Sequence, residues 1–318
     1  MKQYARARRV GLAAILLALV LRLYLLDVPG ILSQRNIAPF PTEPETGQDV
    51  RFLPSLGTFL PDFVESFAAA AKEMPLPVFS GDEEVALYYA ADRNPDIPAL
   101  LEQPLEWSLL GEEARVLILH THATESYTKQ EEVYIETSSW RTLDENYNML
   151  SLGAEVARLL ALAGIGTIHD TTLHDYPSYN GSYTHARKTL AALLEEHPGI
   201  LLVLDLHRDA SGGAGGQLRT KALVDGEPSA QLMVVLGTNH KGYEKNLSLG
   251  LKLHTLLERT HPGIMRPLQL RAQRFNQDLS SGALLIEVGA AGNTHAEAMT
   301  AARVLAEGII SLARGSGV

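Results

Sequence analysis

From Arg115 onward, short apolar runs alternate with longer stretches whose apolar residues recur at helical spacing. Arg115 to His120 reads as a strand. Met149 to Ala163 reads as an amphipathic helix closed by Gly164 and Gly166, and Thr167 to Asp170 as a short strand behind it. A helix from Tyr183 to His197 is stopped by Pro198 and Gly199, and Ile200 to Leu206 is an unbroken apolar strand of the kind buried on both faces. Leu232 to Leu236 and Leu284 to Val288 are further apolar strands, with Asn246 to Thr260 as the helix between them. The last helix begins at Asn293 or Thr294, where Glu297 completes a capping-box pattern, and runs to about Arg314. Such alternation predicts an α/β fold, a twisted and mostly parallel sheet with helices on both faces. Ligands of such sheets sit outside the C-terminal strand edges, where His120, His122, His207 and Glu287 would fall.

The front of the chain follows another pattern. Lys2, Arg6, Arg8 and Arg9 precede an apolar run from Val10 to Val20 that continues past Arg22 to Leu26, and no AxA-type cleavage site follows. Residues 1–27 therefore read as an uncleaved single-pass membrane anchor, and the positive-inside rule puts the body outside the cytoplasm. Residues 28–112, rich in Pro, Gly and short polar stretches, read as a stalk with helices at Asp62 to Lys72 and Glu83 to Ala91. Residues 113–318 form the remaining body.

Composition narrows the chemistry. A net charge of −10, which falls to −14 once the four N-terminal cations are set aside, excludes nucleic acid as a partner. The absence of cysteine removes thiol nucleophiles, redox pairs and thiolate ligands, so any metal must be held by His and carboxylates.

Three apolar runs each finish in chemistry. The first ends in His120, Thr121, His122, Ala123, Thr124 and Glu125, the second in His207, Arg208 and Asp209, and the third in Glu287. A catalytic zinc ion takes three protein ligands and keeps a fourth position for water. His122, Glu125 and His207 supply that set, His120 competes with His122 because both can face one side, and Glu287 is left as the base. Taken singly, an HxxE spacing usually marks a solvated turn and a strand-end His is usually structural. The three placements together carry the metal reading. His185, His197, His254 and His295 fit helical positions, and the glycines at 212, 213, 215 and 216 form a flexible loop without a phosphate-binding pattern. Tyr179 lies in a Tyr-rich stretch suited to lining a groove for sugar or peptide, or to packing a loop. Arg274 and Asn276 belong to a compact polar set that either binds a substrate carboxylate or bridges two strands.

Several of these stretches resemble the stage II sporulation protein P family of endospore-forming bacteria: 120–127, 169–183, 205–210, 237–239, 276–280 and 284–289, in the expected order. The resemblance implies a fold like that of amidases and zinc carboxypeptidases. It implies a zinc-dependent hydrolase of peptidoglycan that cuts the amide between muramic acid and the stem peptide, with endopeptidase activity on cross-links, during engulfment of the forespore. It also implies a membrane-anchored protein beside a lytic transglycosylase (the stage II protein D) and a membrane protein (the stage II protein M). Zinc ligation falls at His120 or His122 and at His207, with catalysis at Glu287. Related amidases point to Asp144 or Glu145 as the carboxylate ligand, while the HxxE spacing points to Glu125, which is preferred because it fixes both ligands on one turn. A catalytically silent wall-binding scaffold is the alternative from another class. A metallocarboxypeptidase is a third reading, with Arg208 or Arg274 meeting a terminal carboxylate.

Overall fold

The computed structural model describes residues 50–53, 79–105, 107–129, 140–213 and 216–315. The chain divides into Met1–Gly47 and Gln48–Val318, and every described residue belongs to the second unit. The expected anchor at 1–27 and the expected helix at Asp62 to Lys72 lie outside the described residues. Among the described residues no helix is long and apolar enough to cross a membrane.

The strands are β1 (Val50–Leu53), β2 (Leu87–Ala90), β3 (Gly111–Leu119), β4 (Ile165–Asp170), β5 (Leu202–Asp209), β6 (Gly212–Gly213), β7 (Gly216–Gln217), β8 (Ala222–Val224), β9 (Glu227–Ser229), β10 (Leu232–Gly237), β11 (Leu268–Arg271) and β12 (Ala283–Ala290). The helices are α1 (Ile97–Glu102), α2 (Met149–Leu162), α3 (Ser182–Glu196), α4 (Tyr243–Thr260) and α5 (His295–Gly315). Eight strands form one sheet in the order β1-β4-β3-β5-β12-β10-β11-β2. All its pairs are parallel except β1 with β4 and β12 with β10. The mostly parallel α/β sheet is thus as the alternation predicted.

Side-chain alternation divides the two faces. Val116 and Ile118, Leu204 and Leu206, and Ile286 and Val288 point into a large core shared with α1, α2, α4 and α5. Leu117, Leu119 and Val203 point the other way, onto Ala186, Leu190 and Leu193 of α3. Beside them Met233, Val235 and Leu285 are covered by Phe275. Local chemistry starts the helices where expected: Asn148 accepts from Leu150 N at 2.9 Å, and Thr294 and Glu297 exchange side-chain-to-backbone bonds at 3.0 and 3.2 Å as a capping box.

Two expectations are corrected. Glu83 to Ala91 holds strand β2, which pairs with β11, because Leu87, Tyr88 and Tyr89 suit a pleated edge better than a helix. Nor does the body begin at 113. Strands β1 and β2 complete the sheet, and Leu100 and Leu101 of α1 are buried in the main core. Lys252 of α4 seals that contact. Its ammonium donates to Leu100 O at 2.7 Å and Ser248 Oγ at 2.9 Å, and it lies 5.7 Å from the centre of the Phe79 ring.

A chain starting at Glu113 should therefore melt well below one starting at Gln48. Exposing the sites of Leu100 and Leu101 alone removes about 3–6 kcal/mol, or about 10 °C or more. Equal melting temperatures by calorimetry would restore the boundary at 113. A second outcome concerns pH. Burial lowers Lys252 to about 8, against about 10.4 in an unfolded chain. Above pH 8 the folded state sheds a proton that the unfolded state keeps, so this group's contribution raises stability from pH 8 to about 10.4. Urea unfolding across that range should show a smaller rise for Lys252→Met than for the parent chain.

Candidate active site

The second face of the sheet carries the chemistry. On β5, Asp205 and His207 alternate with Leu204 and Leu206, so the polar pair points away from the main core. On β12, Glu287 shares that face with Leu285, and the parallel register sets Glu287 beside His207 and Leu285 beside Asp205. His207 and Glu287 thus sit within their strands, each two or three residues short of the end, instead of just past it. The turn after β3 brings His122 and Glu125 over the same face. It is tied down by Thr121, which donates to Asp205 at 2.8 Å through its backbone and 2.6 Å through its hydroxyl, and by Thr124, whose hydroxyl donates to Asp175 at 2.7 Å.

His122 and His207 meet edge to face, ring centres 5.2 Å apart, and His207 Nδ1 lies 3.8 Å from Glu125 Oε2. Glu125 also accepts from Arg208 N at 3.2 Å and lies 3.6 Å from the Arg208 guanidinium and 3.4 Å from that of Arg141. Tyr179 stacks on His122 with centres 4.6 Å apart, and the Arg141 guanidinium lies 4.7 Å from the centre of the Tyr179 ring. Tyr183 stands edge-on to His122 at 5.5 Å and faces His207 at 6.3 Å. Three buried atoms here lack a hydrogen-bond partner: His122 Nδ1, His207 Nε2 and Glu287 Oε2. Asp205 Oδ1 is 2.9 Å from that His207 Nε2, close enough for an ion pair but out of line for a hydrogen bond.

Burial and charge push these groups apart. Burial lifts the Glu287 carboxyl to about 8, although His207 pulls the other way. Burial also works against the charge on Glu125, yet Arg208 first and then His207, His122 and Arg141 hold it below the usual carboxylate range. His122 is lowered to about 4, chiefly by burial. For His207 burial is overridden by Asp205, then Glu125 and Glu287, which hold the ring at about 9. One carboxyl stays ionised while its neighbour keeps its proton near neutrality, an arrangement that separates electrostatic and acid–base roles. Among the described residues no three His, Asp or Glu side chains form a ready-made metal cage. His207 stands at ion-pair spacing from Glu125, and the His122 ring lies edge to face with that of His207.

Comparison with known proteins places the chain. The family "Stage II sporulation protein P (SpoIIP)" matches residues 72–310, about three quarters of the sequence. The chain belongs to the stage II sporulation protein P family. The stage II sporulation protein P of Bacillus subtilis (strain 168) is 28% identical over 208 residues, which cover 62% of this chain and 50% of that protein. The chain thus spans about half the length of this curated relative. Among solved structures, it is similar to the N-acetylmuramyl-L-alanine amidase Ami1 from Mycobacterium smegmatis, with a TM-score of 0.38, 12% identity, and coverage of 65% of this chain and 99% of that one. The N-acetylmuramoyl-L-alanine amidase AmiC2 of Nostoc punctiforme has a TM-score of 0.39, 13% identity, and coverage of 65% and 96%.

The match to the stage II sporulation protein P family begins ahead of β2 and runs into α5, so it takes in every residue of the site. Within it, the structure separates residues that the sequence left together. His120 points into the main core. Its Nδ1 sits 3.2 Å from Leu206 O, and because a carbonyl can only accept, that nitrogen carries the proton. Its Nε2 then accepts from His169 Nε2 at 2.9 Å, so both nitrogens are engaged away from His122. Arg208 is buried and donates to Ser126 O and Trp140 O, each at 3.0 Å, which turns it from an expected substrate ligand into a strut. Asn276 is likewise spent on the protein, donating to Tyr183 O at 2.8 Å. Arg274 lies on the surface, 3.7 Å from Asp278, and Tyr179 is 55% exposed above His122, the one expected substrate contact that faces both solvent and the site. Asp144 binds Asn146 in its own turn and Glu145 is exposed, so neither joins the cluster that Glu125 enters.

Sequence reading missed Asp205, Asp175 and Arg141, and placed Tyr183 only within a Tyr-rich stretch suited to lining a groove. The signal for Asp205 was present, a carboxylate inside an apolar strand. The others act across long separations that no local pattern reveals.

The histidine pair beneath the site makes one helix position unusual. A Cβ on Gly153 of α2 would collide with Nε2 of both His120 and His169. In a helix interior Gly→Ala normally stabilises by about 1 kcal/mol. Here Gly153→Ala should destabilise by about 1–3 kcal/mol through overpacking. A gain in urea midpoint would show that the pair does not press on α2.

Proposed function

We propose that this protein is a peptidoglycan hydrolase that cleaves an amide bond with a zinc ion held by His122, Glu125 and His207 and with Glu287 as the general acid–base group. One observation carries the reading: on a buried sheet face, an unpartnered Glu287 carboxyl raised to about 8 stands beside His207, across from an ionised Glu125. The donor set fits the metal. Two imidazoles and one carboxylate, with His122 Nδ1 buried and without a hydrogen-bond partner, match what zinc takes in catalytic sites. Bound there, zinc would polarise the scissile carbonyl and make water a nucleophile at neutral pH.

The chain's own groups do the rest. Glu287 takes the proton from attacking water and returns it to the leaving amine, a role suited to a carboxyl that titrates near working pH. Arg208 and Arg141 keep Glu125 ionised, so it binds and does not shuttle protons. Tyr179, exposed beside His122, lies where a sugar or peptide would stack. The metallocarboxypeptidase reading loses its buried cation, since Arg208 is committed to backbone carbonyls. Membership of the family supports a peptidoglycan hydrolase role in sporulation; the resemblance implies cleavage of the N-acetylmuramoyl-L-alanine amide during engulfment, and the basic residues followed by an apolar run carry the proposal of residues 1–27 as anchor with the body outside the cytoplasm. The lytic transglycosylase and the membrane protein of the same stage are partners on that resemblance alone.

Glu287→Gln keeps the shape and removes the base, so release of L-alanine amino groups from purified peptidoglycan should fall about 100- to 10,000-fold. Zinc content and melting temperature should stay near those of the parent. Full activity would overturn the mechanism, and loss of zinc in step with activity would make Glu287 a ligand. In the same elemental analysis His122→Ala should lose its zinc, while His120→Ala should keep it and melt lower.

A further inference from the structure

Asp205 has no role in the reaction just described, yet it is a carboxylate set into the apolar run Leu202, Val203, Leu204 and Leu206 and is almost wholly buried. Removing such a group from water is expensive unless it is fully partnered. Its partners are informative. Thr121 gives it both a backbone and a hydroxyl hydrogen bond, at 2.8 and 2.6 Å, and Thr121 lies one residue before His122 and four before Glu125. The parallel register sets Asp205 beside Leu119, the last residue of β3, so the carboxylate stands where that turn leaves the sheet. Its Oδ1 reaches to 2.9 Å from His207 Nε2, while the other ring nitrogen, Nδ1, faces Glu125 at 3.8 Å.

We infer that Asp205 is the positioning residue of the site: one carboxylate grips both the His122–Glu125 turn and the far nitrogen of His207, and so fixes the three donors relative to one another. The inference rests on the zinc reading above. An imidazole that offers one nitrogen to a cation is oriented by a carboxylate on the other, and loss of that partner weakens metal binding. Thr121 supplies the internal control, since it shares the carboxylate but does not touch His207.

The test uses the full chain and zinc alone, with affinity read by competition against a chromophoric chelator and geometry by the visible absorption of the cobalt(II) form. Asp205→Asn should weaken zinc binding about 10- to 100-fold and alter the cobalt spectrum. Thr121→Val, which loses only the hydroxyl bond, should lower the melting temperature but leave affinity close to that of the parent. If both variants lose affinity in proportion to lost stability, Asp205 is merely structural and the inference falls. If Asp205→Asn fails to fold, nitrogen-15 spectra of the zinc-loaded parent decide: a slowly exchanging proton on His207 Nε2 supports the inference, and its absence overturns it. A parent chain that binds no zinc would overturn the zinc reading and this inference together; a parent that binds zinc and an Asn variant that binds it equally well would overturn the positioning role alone.

Discussion

The parallel pairing of β5 with β12 is the constraint on which the site depends. It sets Glu287 opposite His207 and Leu285 opposite Asp205, and the two-residue period of each strand then sends all four side chains to one face. A slip of one residue would turn the carboxylate and imidazole into the main core, where Leu204, Leu206, Ile286 and Val288 now pack. The apolar residues that flank the functional ones therefore act as their register marks.

Placing five titratable groups on a buried face creates an electrostatic problem that the surrounding residues resolve. Arg208 and Arg141 bracket Glu125, Asp205 faces His207, and Asp175 holds both Thr124 and Arg141. Of these carboxylates Glu287 alone forms no ion pair among the described residues, although its neighbours across the sheet are Met233 on one side and His207 on the other. Its raised affinity for a proton follows chiefly from burial, which the nearby His207 only partly offsets. His120, lowered to about 4 chiefly by burial, lies behind the same strands with both ring nitrogens hydrogen-bonded, one of them to His169.

The wall beside Glu287 is held by backbone strain. Phe275 and Asn276 both take positive φ, 51° and 57°, a region that bulky residues rarely enter. They are kept there by Asn276 donating to Tyr183 O, by Gln277 bridging Val235 O and Gly237 N, and by a two-pronged ion pair between Arg187 and Asp278. The strained turn presses Phe275 onto Met233, Val235 and Leu285 and against Tyr183, 5.8 Å between ring centres. Strain of this kind concentrates where surrounding contacts over-determine a functional surface.

The sequence by itself determined the α/β class and most of the long elements, because buried strands and amphipathic helices write their periods directly into the order of residues. Its capping box at Thr294 and Glu297 and its helix start at Asn148 are local chemistry, visible without any fold. It also singled out the residues that cluster, since a His or Glu closing an apolar run is rare enough to notice. The turn at Asp225 and Gly226, both with positive φ, was equally legible as a hairpin signal and went unread. Only the tertiary structure separated His120 from His122, because two residues of equal type and spacing differ in which face of the sheet their turn reaches. Only it drew β1, β2 and α1 into the domain, since edge strands and a six-residue helix carry too little periodicity to betray a long-range partner. It alone reassigned Arg208 and Asn276 from ligand binding to support, and brought Arg141 and Tyr183 to the site. Hydrogen bonds between residues tens of positions apart are fixed by packing, and packing is a property of the whole chain.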